Sequence, residues 1–384
     1  MDANLLKGGN NNGLLIGIEP LCLSSGSVTR KALTRKRATS ETMSGEKAEP
    51  MDEQAGAPEG GPAGGNQFLS QPESVEEDVT TEDDASELFV EDPDSEDLDF
   101  THCRIAKIRN LDNCARLQTL GLRNNLIKKI EGLAMLTTLR ELDLYDNQIT
   151  EIEGLDSLVF LEQLDLSFNR IRKVQGLDAL TRLQRLYLIN NKISKIENIG
   201  HLTQLQMLEL GDNNIRVIEN IEALTNLQSL FIGKNKITRL QGLDTLTGLR
   251  VLSVQSNRLL KIEGLEKLTQ LEELYISHNG LESIEGLQNN VCLTTLDLAG
   301  NRITRIQNID HLKELQEFWF NDNQLSNWDD LRQFENLKKL ETVYLERNPL
   351  WYDASDSRRP DPSYRRKVKL AIPWIRQIDA TLAG

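Results

Sequence analysis

A series of acidic and aromatic side chains recurs at a fixed interval and could supply recognition chemistry. The interval is 22 residues as far as Trp319 and 25 at the last step. The series has no lysine or arginine and consists of Gly121, Asp143, Asp165, Tyr187, Glu209, Phe231, Ser253, Tyr275, Asp297, Trp319 and Tyr344. Carboxylates select cationic partners, and aromatic rings are frequent anchors of protein interfaces. These residue types therefore indicate docking of a protein with a basic surface.

Catalytic chemistry is not indicated. The adjacent carboxylates Glu272 and Glu273 would face opposite sides of a strand, and no serine or cysteine stands beside a plausible base. The chain has no glycine-rich phosphate loop, and its cysteines lack metal-ligand spacing. Its histidines are scattered over different parts of the repeat: His102, His201, His278 and His311. We therefore predict no enzyme activity, no cofactor and no metal site.

The elements that position the series follow from the motif L-x-x-L-x-L-x-x-N around each member. In residues 139–147, Leu142 and Leu144 alternate as in a strand, and Asp143 points to the opposite face. The apolar spacing then changes to every third residue over 149–158, which suits short helical or 3-10 turns. The pattern predicts an α/β repeat solenoid, a leucine-rich-repeat horseshoe of 22-residue repeats with a concave parallel sheet and those turns on the convex side.

Asparagine closes each motif at 22-residue intervals from Asn125 to Asn323. Its amide can donate and accept, so we predict that it satisfies backbone groups where the chain leaves each strand. The strands are expected to centre on Asp143, Asp165 and their successors, which places the acidic and aromatic series on the concave sheet.

The two ends of the solenoid need caps because an end repeat would otherwise expose its core. An N-terminal lid is expected around 97–104. The last repeat, from Asn323 to Asn348, is longer, and we expect its extra residues near 336–340. Val368, Ala371 and Ile372 have helical spacing before Pro373, which predicts a capping helix that ends there. The predicted division is a solenoid over 96–350 and a C-terminal helical cap over 351–384.

The chain before the repeats differs in composition. Residues 48–103 contain 18 acidic residues and no lysine or arginine, which predicts a disordered acidic tail over 1–95 that is dispensable for partner binding. The repeats are then close to neutral and the basic run 365–369 has no interleaved aromatics, so we expect no nucleic-acid partner. The apolar stretch 13–23 is interrupted and too short to span a bilayer, so no membrane partner is expected either.

Several segments are similar to one known family. The stretches 142–149, 205–213, 315–323, 340–350, 364–368 and 376–380 resemble the regulatory subunit 7 family of protein phosphatase 1, which are leucine-rich-repeat regulators of that phosphatase. The resemblance extends over roughly 97–381. It implies a nuclear and cytoplasmic regulatory subunit that binds the catalytic subunit of protein phosphatase 1 through its concave face. It also implies modulation of the activity, maturation or targeting of the enzyme, with a third regulatory protein as a further candidate partner.

The resemblance also implies the contact residues. The matching positions are Asp165, Glu209, Phe231, Asp297, Glu317, Trp319 and Tyr344, and Tyr187 stands where the family has phenylalanine. A short phosphatase-docking motif is missing, because the stretches 216–219 and 250–253 lack its aromatic residue. A second interpretation stays open, in which the chain is a leucine-rich-repeat scaffold for a cytoskeletal or RNA-processing partner.

Overall fold

A computed structural model describes residues 88–383, and within that range the chain forms one continuous sheet of 14 strands. The predicted acidic tail as far as residue 87 and the apolar stretch 13–23 lie outside the described residues. The strands follow one another in the sheet in chain order, as in a solenoid. Their bounds are β1 Asp97–Asp99, β2 Thr119–Gly121, β3 Glu141–Asp143, β4 Gln163–Asp165, β5 Arg185–Tyr187, β6 Met207–Glu209, β7 Ser229–Phe231, β8 Val251–Ser253, β9 Glu273–Tyr275, β10 Thr295–Asp297, β11 Glu317–Trp319, β12 Thr342–Tyr344, β13 Gln377–Ile378 and β14 Thr381–Leu382.

Strands β1 to β13 pair in parallel, and β1 to β12 are each three residues long with a buried middle residue. In β3 the middle residue Leu142 is 1 % exposed, while Glu141 and Asp143 face outward. The expectation that strands centre on Asp143 and its successors is wrong by one residue, because Asp143 ends its strand. The Asp143 carboxylate accepts a hydrogen bond from the Tyr145 N–H at 3.0 Å, which starts the turn there.

The return segments are built from three-residue turns. The Leu136 N–H donates to Leu133 and the Leu139 N–H donates to Leu136, at 3.0 and 3.1 Å, and the same pairs recur along the solenoid. These bonds have 3-10 spacing. Among the described residues, 3-10 helices occur at Trp328–Phe334 in the last repeat and at Pro349–Trp351 directly after it. The extra residues of that repeat form the first of these helices rather than lying near 336–340 as predicted.

The asparagine ladder has the structural role that the sequence predicts. Asn213 accepts a hydrogen bond from the Ile193 N–H at 2.9 Å and donates to the carbonyls of Leu188 at 2.9 Å and Leu210 at 3.1 Å. One side chain therefore links two repeats through groups that no strand partner reaches. The same pattern recurs from Asn125 to Asn348. The interior between these side chains is filled by fully buried leucine and isoleucine.

The N-terminal cap contains a strand that the sequence pattern did not predict. The segment expected as a lid includes β1, which pairs with β2 and extends the sheet by one step. Phe100 is fully buried behind it. Leu88, which belongs to the segment predicted as a tail, is 2 % exposed, and its carbonyl accepts a hydrogen bond from the Asn110 amide at 3.2 Å. The packed chain therefore begins at or before Leu88.

The C-terminal cap agrees with the predicted helix. Helix α1 spans Tyr364–Ala371 and ends before Pro373. Val368 and Ile372 are fully buried against the last repeat, and the Trp374 indole N–H donates to the Leu337 carbonyl at 3.1 Å. The chain then forms β13, which pairs with β12 and continues the parallel sheet.

Candidate functional site

The acidic and aromatic series forms one column on the concave face, which we define as the outward side of strands β2 to β12. Each member is the third residue of its strand, and adjacent members are partners in the strand register, for example Asp165 with Tyr187 and Tyr187 with Glu209. Neighbours are therefore about 4.8 Å apart. Glu317 begins β11 and lies on the same side as Trp319, because residues two apart in a strand share a face. The structure thus brings all the sequence-predicted contact residues onto one surface.

The column is crowded, so its side chains are only partly exposed. Asp297 is 6 % exposed and counts as buried, whereas the other predicted contact residues are half-buried. Half-buried aromatic rings on a rigid sheet can gain further burial when a partner docks. Asp297 has less surface to offer than the sequence suggested.

Three of the aspartates also stabilise their own strand ends. The Oδ1 atoms of Asp143, Asp165 and Asp297 accept hydrogen bonds from the N–H two residues later, at 3.0, 2.8 and 3.0 Å. An aspartate at this position therefore has a local structural reason that the sequence reasoning did not include. Within residues 88–383, Glu209 receives no such hydrogen bond, so its carboxylate is more available for a partner.

Burial on this face raises the pKa of three of the carboxyl groups named as contacts. Burial, together with the negative charge of Asp165, raises the pKa of Glu209 to about 7. Burial, together with the charge of Asp143, raises the pKa of Asp165 to about 6. The pKa of Asp297 is also raised by burial. A cationic side chain placed here would favour the charged form of both Glu209 and Asp165 and would release protons on binding.

An aromatic pair stands at the C-terminal end of the column. The rings of Trp319 and Tyr344 lie 5.5 Å apart and are tilted by 57°. The Trp319 Nε1 is buried and has no hydrogen-bond acceptor in the described part of the chain. An indole N–H without an acceptor costs free energy, so a small movement of this ring that exposed Nε1 to an acceptor on a partner would be favourable.

Sequence reasoning missed residues that extend this face. Gln377 of β13 donates to the Tyr344 hydroxyl at 2.9 Å, and Glu273 accepts from the Tyr275 hydroxyl at 2.8 Å. Glu273 could have been predicted from the sequence, because the residue two positions before each column member faces the same side of the sheet. No periodic signal marks Gln377, because it follows the capping helix.

At the other end of the face, a second group of aromatic side chains was also missed. The Arg123 guanidinium stacks 4.1 Å from the Tyr145 ring, and the Tyr145 and Phe168 rings lie 4.8 Å apart. Arg123 is held there by Asp143, at 3.1 Å. The N-terminal end of the concave face therefore also has a guanidinium group, which is paired with the Asp143 carboxylate.

Residues 88–383 contain no cluster of three or more histidine, cysteine, aspartate or glutamate side chains that could hold a metal ion. The same range has no helix of sufficient length and apolarity to span a lipid bilayer.

Comparison with known proteins supports the repeat assignment. The family model for "Leucine Rich repeats (2 copies)" matches residues 137–245 in overlapping steps, and also 247–289 and 293–333. These matches cover just over half of the chain. Among solved structures, an internalin from Listeria monocytogenes superposes with a TM-score of 0.60 at 23% identity, over 74% of this chain and 87% of that one. A leucine-rich-repeat protein of Leptospira interrogans gives a TM-score of 0.57 at 23% identity, over 73% of this chain and 75% of that one. At this identity the two structures show the fold alone.

Curated relatives match a shorter segment at higher identity. The chain is 57% identical over 54 residues to protein phosphatase 1 regulatory subunit 7 of Danio rerio and 56% identical over 55 residues to that of Homo sapiens. It is 49% identical over 51 residues to protein phosphatase 1 regulatory subunit SDS22 of Schizosaccharomyces pombe. The matched segments span 14% of this chain, or 13% for the last, and 13% of each relative. Over that segment, the comparison confirms the resemblance to the regulatory subunits of protein phosphatase 1 that the sequence analysis described. The repeat matches, the continuous parallel sheet and the asparagine ladder together establish that the chain belongs to the leucine-rich-repeat family.

Proposed function

We propose that this chain is a regulatory subunit that binds the catalytic subunit of protein phosphatase 1 through its concave face and modulates its activity, maturation or targeting. The proposed contacts are Asp165, Tyr187, Glu209, Phe231, Asp297, Glu317, Trp319 and Tyr344. The single observation that supports this most is that these eight residues lie on seven of the nine successive strands β4 to β12 and share one face in continuous register.

The size and chemistry of the face suit a globular protein partner. From Asp165 to Tyr344 the register spans eight strand steps, or about 38 Å. An interface of ordinary size needs about 800 Å² on each partner, which a strip of this length can supply. The half-buried rings of Phe231 and Trp319 would be the anchors, and Glu209 and Glu317 would favour a cationic partner surface.

The names of the relatives support the proposed partner. The matched segments belong to proteins named as regulatory subunits of protein phosphatase 1, from vertebrates and from a fission yeast. Because the matches span 13% of those proteins, the partner and the direction of regulation belong to the proposal. We also propose a role without catalysis by this chain, in the nucleus and the cytoplasm, in which a third regulatory protein joins the complex.

The test is the affinity of purified catalytic subunit for the full chain and for Trp319→Ala. We expect the substitution to weaken binding about thirtyfold, equivalent to about 2 kcal/mol, because it removes the indole ring that would anchor the partner beside Tyr344. Phe160→Ala is the matched control, since Phe160 is an exposed aromatic residue on a return segment. Its affinity should equal that of the parent. Equal affinities for the parent and Trp319→Ala would move the interface off the concave face.

The second candidate function is a leucine-rich-repeat scaffold for a cytoskeletal or RNA-processing partner. The concave face favours it as much as it favours a phosphatase, because acids and aromatic rings suit any basic protein surface. The same affinity measurement distinguishes the two candidate functions. A scaffold of the second kind would show no measurable affinity for the phosphatase catalytic subunit, whether or not Trp319 is intact.

A further inference from the structure

A band of basic side chains lies beside the concave face, where the chain leaves each strand. We define the basic band as the first, third and fourth residues after the ladder asparagine in the five repeats that start at Asn169, Asn191, Asn213, Asn235 and Asn257. These positions hold ten lysines and arginines and no acidic residue. Arg170, Arg172 and Lys173 begin the band, and Arg258 and Lys261 end it.

Backbone hydrogen bonds stack the band into one surface. The N–H groups of Arg170, Lys192 and Lys236 each donate to the carbonyl of a residue in the preceding repeat, at 2.8 Å. The residue between the first and third positions is a buried isoleucine or leucine, so the side chains on either side of it point outward. All members except the half-buried Lys236 are exposed. The charges therefore form a row with a spacing of one repeat.

Most of these charges are not neutralised. Lys195 lies 3.9 Å from Glu197 and Arg239 lies 2.9 Å from Glu263. Lys236 donates to the Asn214 amide oxygen at 2.5 Å. The other seven members have no carboxylate within 4.0 Å among residues 88–383. A run of like charges at this spacing repels itself, and an anionic ligand would relieve that repulsion.

The chain itself contains an anionic segment of matching charge. Residues 73–87 hold eight acidic residues and no basic one, and they end directly before the buried Leu88. The Leu88 carbonyl accepts a hydrogen bond from the Asn110 amide. The residue at the repeat position of Asn110 that lies next to the start of the band is Gly176. That is three repeats, or about 15 Å along the solenoid. Fifteen residues reach about 50 Å when extended, so the segment can cover the start of the band.

We propose that the acidic segment 73–87 docks on the basic band of the same chain. Tethering gives the segment a local concentration of about 1 mM, so weak exposed ion pairs suffice and an untethered anion must compete with it. The docked segment would cancel charge at the edge of the solenoid and leave the concave face open. This inference is independent of the proposed function, because the band lies off the column of proposed contacts.

The test is zero-length carbodiimide cross-linking of the full chain, which joins a lysine to a carboxylate only when the two are in contact. The cross-linked peptides are mapped at about 20 mM and about 500 mM salt, where screening lengths differ severalfold. Lys267 and Lys313 are the control lysines, since both are exposed and lie outside the band. We expect cross-links from 73–87 to Lys173, Lys192 and Lys261 to exceed those to the controls about fivefold at low salt and to disappear at high salt.

A charge-reversal variant tests the specificity of the docking. In Arg172→Glu, Lys173→Glu, Lys192→Glu, cross-links to the remaining Lys195 and Lys261 should fall to the control level. A matched triple reversal at Lys267, Lys313 and Lys338 should leave them unchanged, and thermal unfolding would verify that both variants fold. Equal cross-linking of band and control lysines in the parent chain would overturn the proposal.

Two other occupants of the band would be recognised in the same experiment. Mixing isotopically labelled and unlabelled chains distinguishes docking within one chain from docking between two. Cross-links found only between labelled and unlabelled chains would assign the band to a second copy and contradict our proposal. Absence of band cross-links, together with tight binding of a single-stranded oligonucleotide at physiological salt, would assign it to nucleic acid and would also contradict it.

Discussion

Gln377 and Tyr344 are 33 residues apart in the chain, yet the Gln377 amide donates to the Tyr344 hydroxyl at 2.9 Å. Gln377 belongs to β13, which the capping segment adds to the sheet beside β12. Tyr344 in turn stands 5.5 Å from Trp319, ring centre to ring centre. The cap therefore does more than cover the core, because it fixes the orientation of the aromatic pair at one end of the concave face.

Removal of this link should weaken partner binding while the fold remains intact. We expect Gln377→Ala to reduce affinity for the phosphatase catalytic subunit about threefold, since Tyr344 loses the donor that orients its hydroxyl. Arg376→Ala is the matched control. Arg376 is next to Gln377 in the chain, but its side chain is exposed and pairs with Glu341 rather than with Tyr344. Isothermal titration of both variants would check this, and equal affinities would show that Tyr344 needs no positioning.

The asparagine ladder should be a measurable source of stability. Asn213→Ala removes the acceptor for the Ile193 N–H and the donor to three carbonyls in a buried setting. We expect the free energy of unfolding to fall by roughly 1 to 3 kcal/mol. Asn226, which is exposed and makes one hydrogen bond to Thr203, is the control for which the loss should be small. Urea unfolding that gave the same midpoint for Asn213→Ala and the parent would refute this role.

One buried amide in the core should be replaceable with a gain in stability. Asn290 is fully buried at the position where Leu268 and Leu312 stand in adjacent repeats, and its Oδ1 has no partner within the described residues. Its amide nitrogen donates to the Leu265 and Leu268 carbonyls, but each of these also accepts a backbone N–H. We expect Asn290→Leu to stabilise the chain by about 1 kcal/mol.

The control for this substitution is the adjacent exposed residue, Asn289. Asn289→Leu has the same change of side chain without the buried orphan oxygen, so it should not raise the melting temperature. Calorimetric melting of the two variants would check the pair. A lower melting temperature for Asn290→Leu would mean that the two hydrogen bonds to carbonyls outweigh the unpaired oxygen.

Stability should decrease as pH rises through neutrality because of Glu209. Its pKa is raised in the folded chain from the ordinary 4.5 to about 7, so between these values the folded state binds more protons than the unfolded state. The free energy of unfolding then falls with rising pH in this window, by about 1 to 3 kcal/mol. Asp165, with a pKa of about 6, acts in the same direction.

Glu209→Gln should flatten this dependence and stabilise the chain at pH 8 relative to the parent. Glu151→Gln is the control, since Glu151 is exposed on a return segment. Urea unfolding at pH 5, 6, 7 and 8 measures the effect, because the difference between parent and variant should grow with pH. A constant difference over this range would show that Glu209 ionises normally.

Residues 1–87 should be dispensable for binding to the concave face. All of the proposed contacts lie after this segment, and the packed chain begins at or before Leu88. We expect its deletion to leave affinity for the phosphatase catalytic subunit within about threefold at physiological salt, where long-range attraction is screened. Deletion to residue 95 should also lower the melting temperature, because it removes the buried Leu88. Loss of binding on the shorter deletion would place a contact in that segment.

The repeat spacing by itself determined the fold and the composition of the concave column. A strand and a return of fixed length put Asp165, Tyr187 and Glu209 in register, because stacking of identical units leaves one way to bury Leu164, Leu186 and Leu208. The asparagine role was equally predictable, since each bend leaves backbone groups that need a side-chain partner. The precise end of each strand was not, because each strand stops at the column residue whether that residue is aspartate, tyrosine, glutamate or phenylalanine.

Only the tertiary structure decided the features that break the repeat. Strand β1, the burial of Leu88 and the hydrogen bond from Gln377 to Tyr344 join segments without the motif to segments that have it. The raised pKa of Glu209 likewise depends on burial and on the charge of Asp165, 44 residues earlier. A periodic sequence predicts contacts between equivalent positions, whereas caps and carboxylate environments depend on non-equivalent neighbours that only the folded chain brings together.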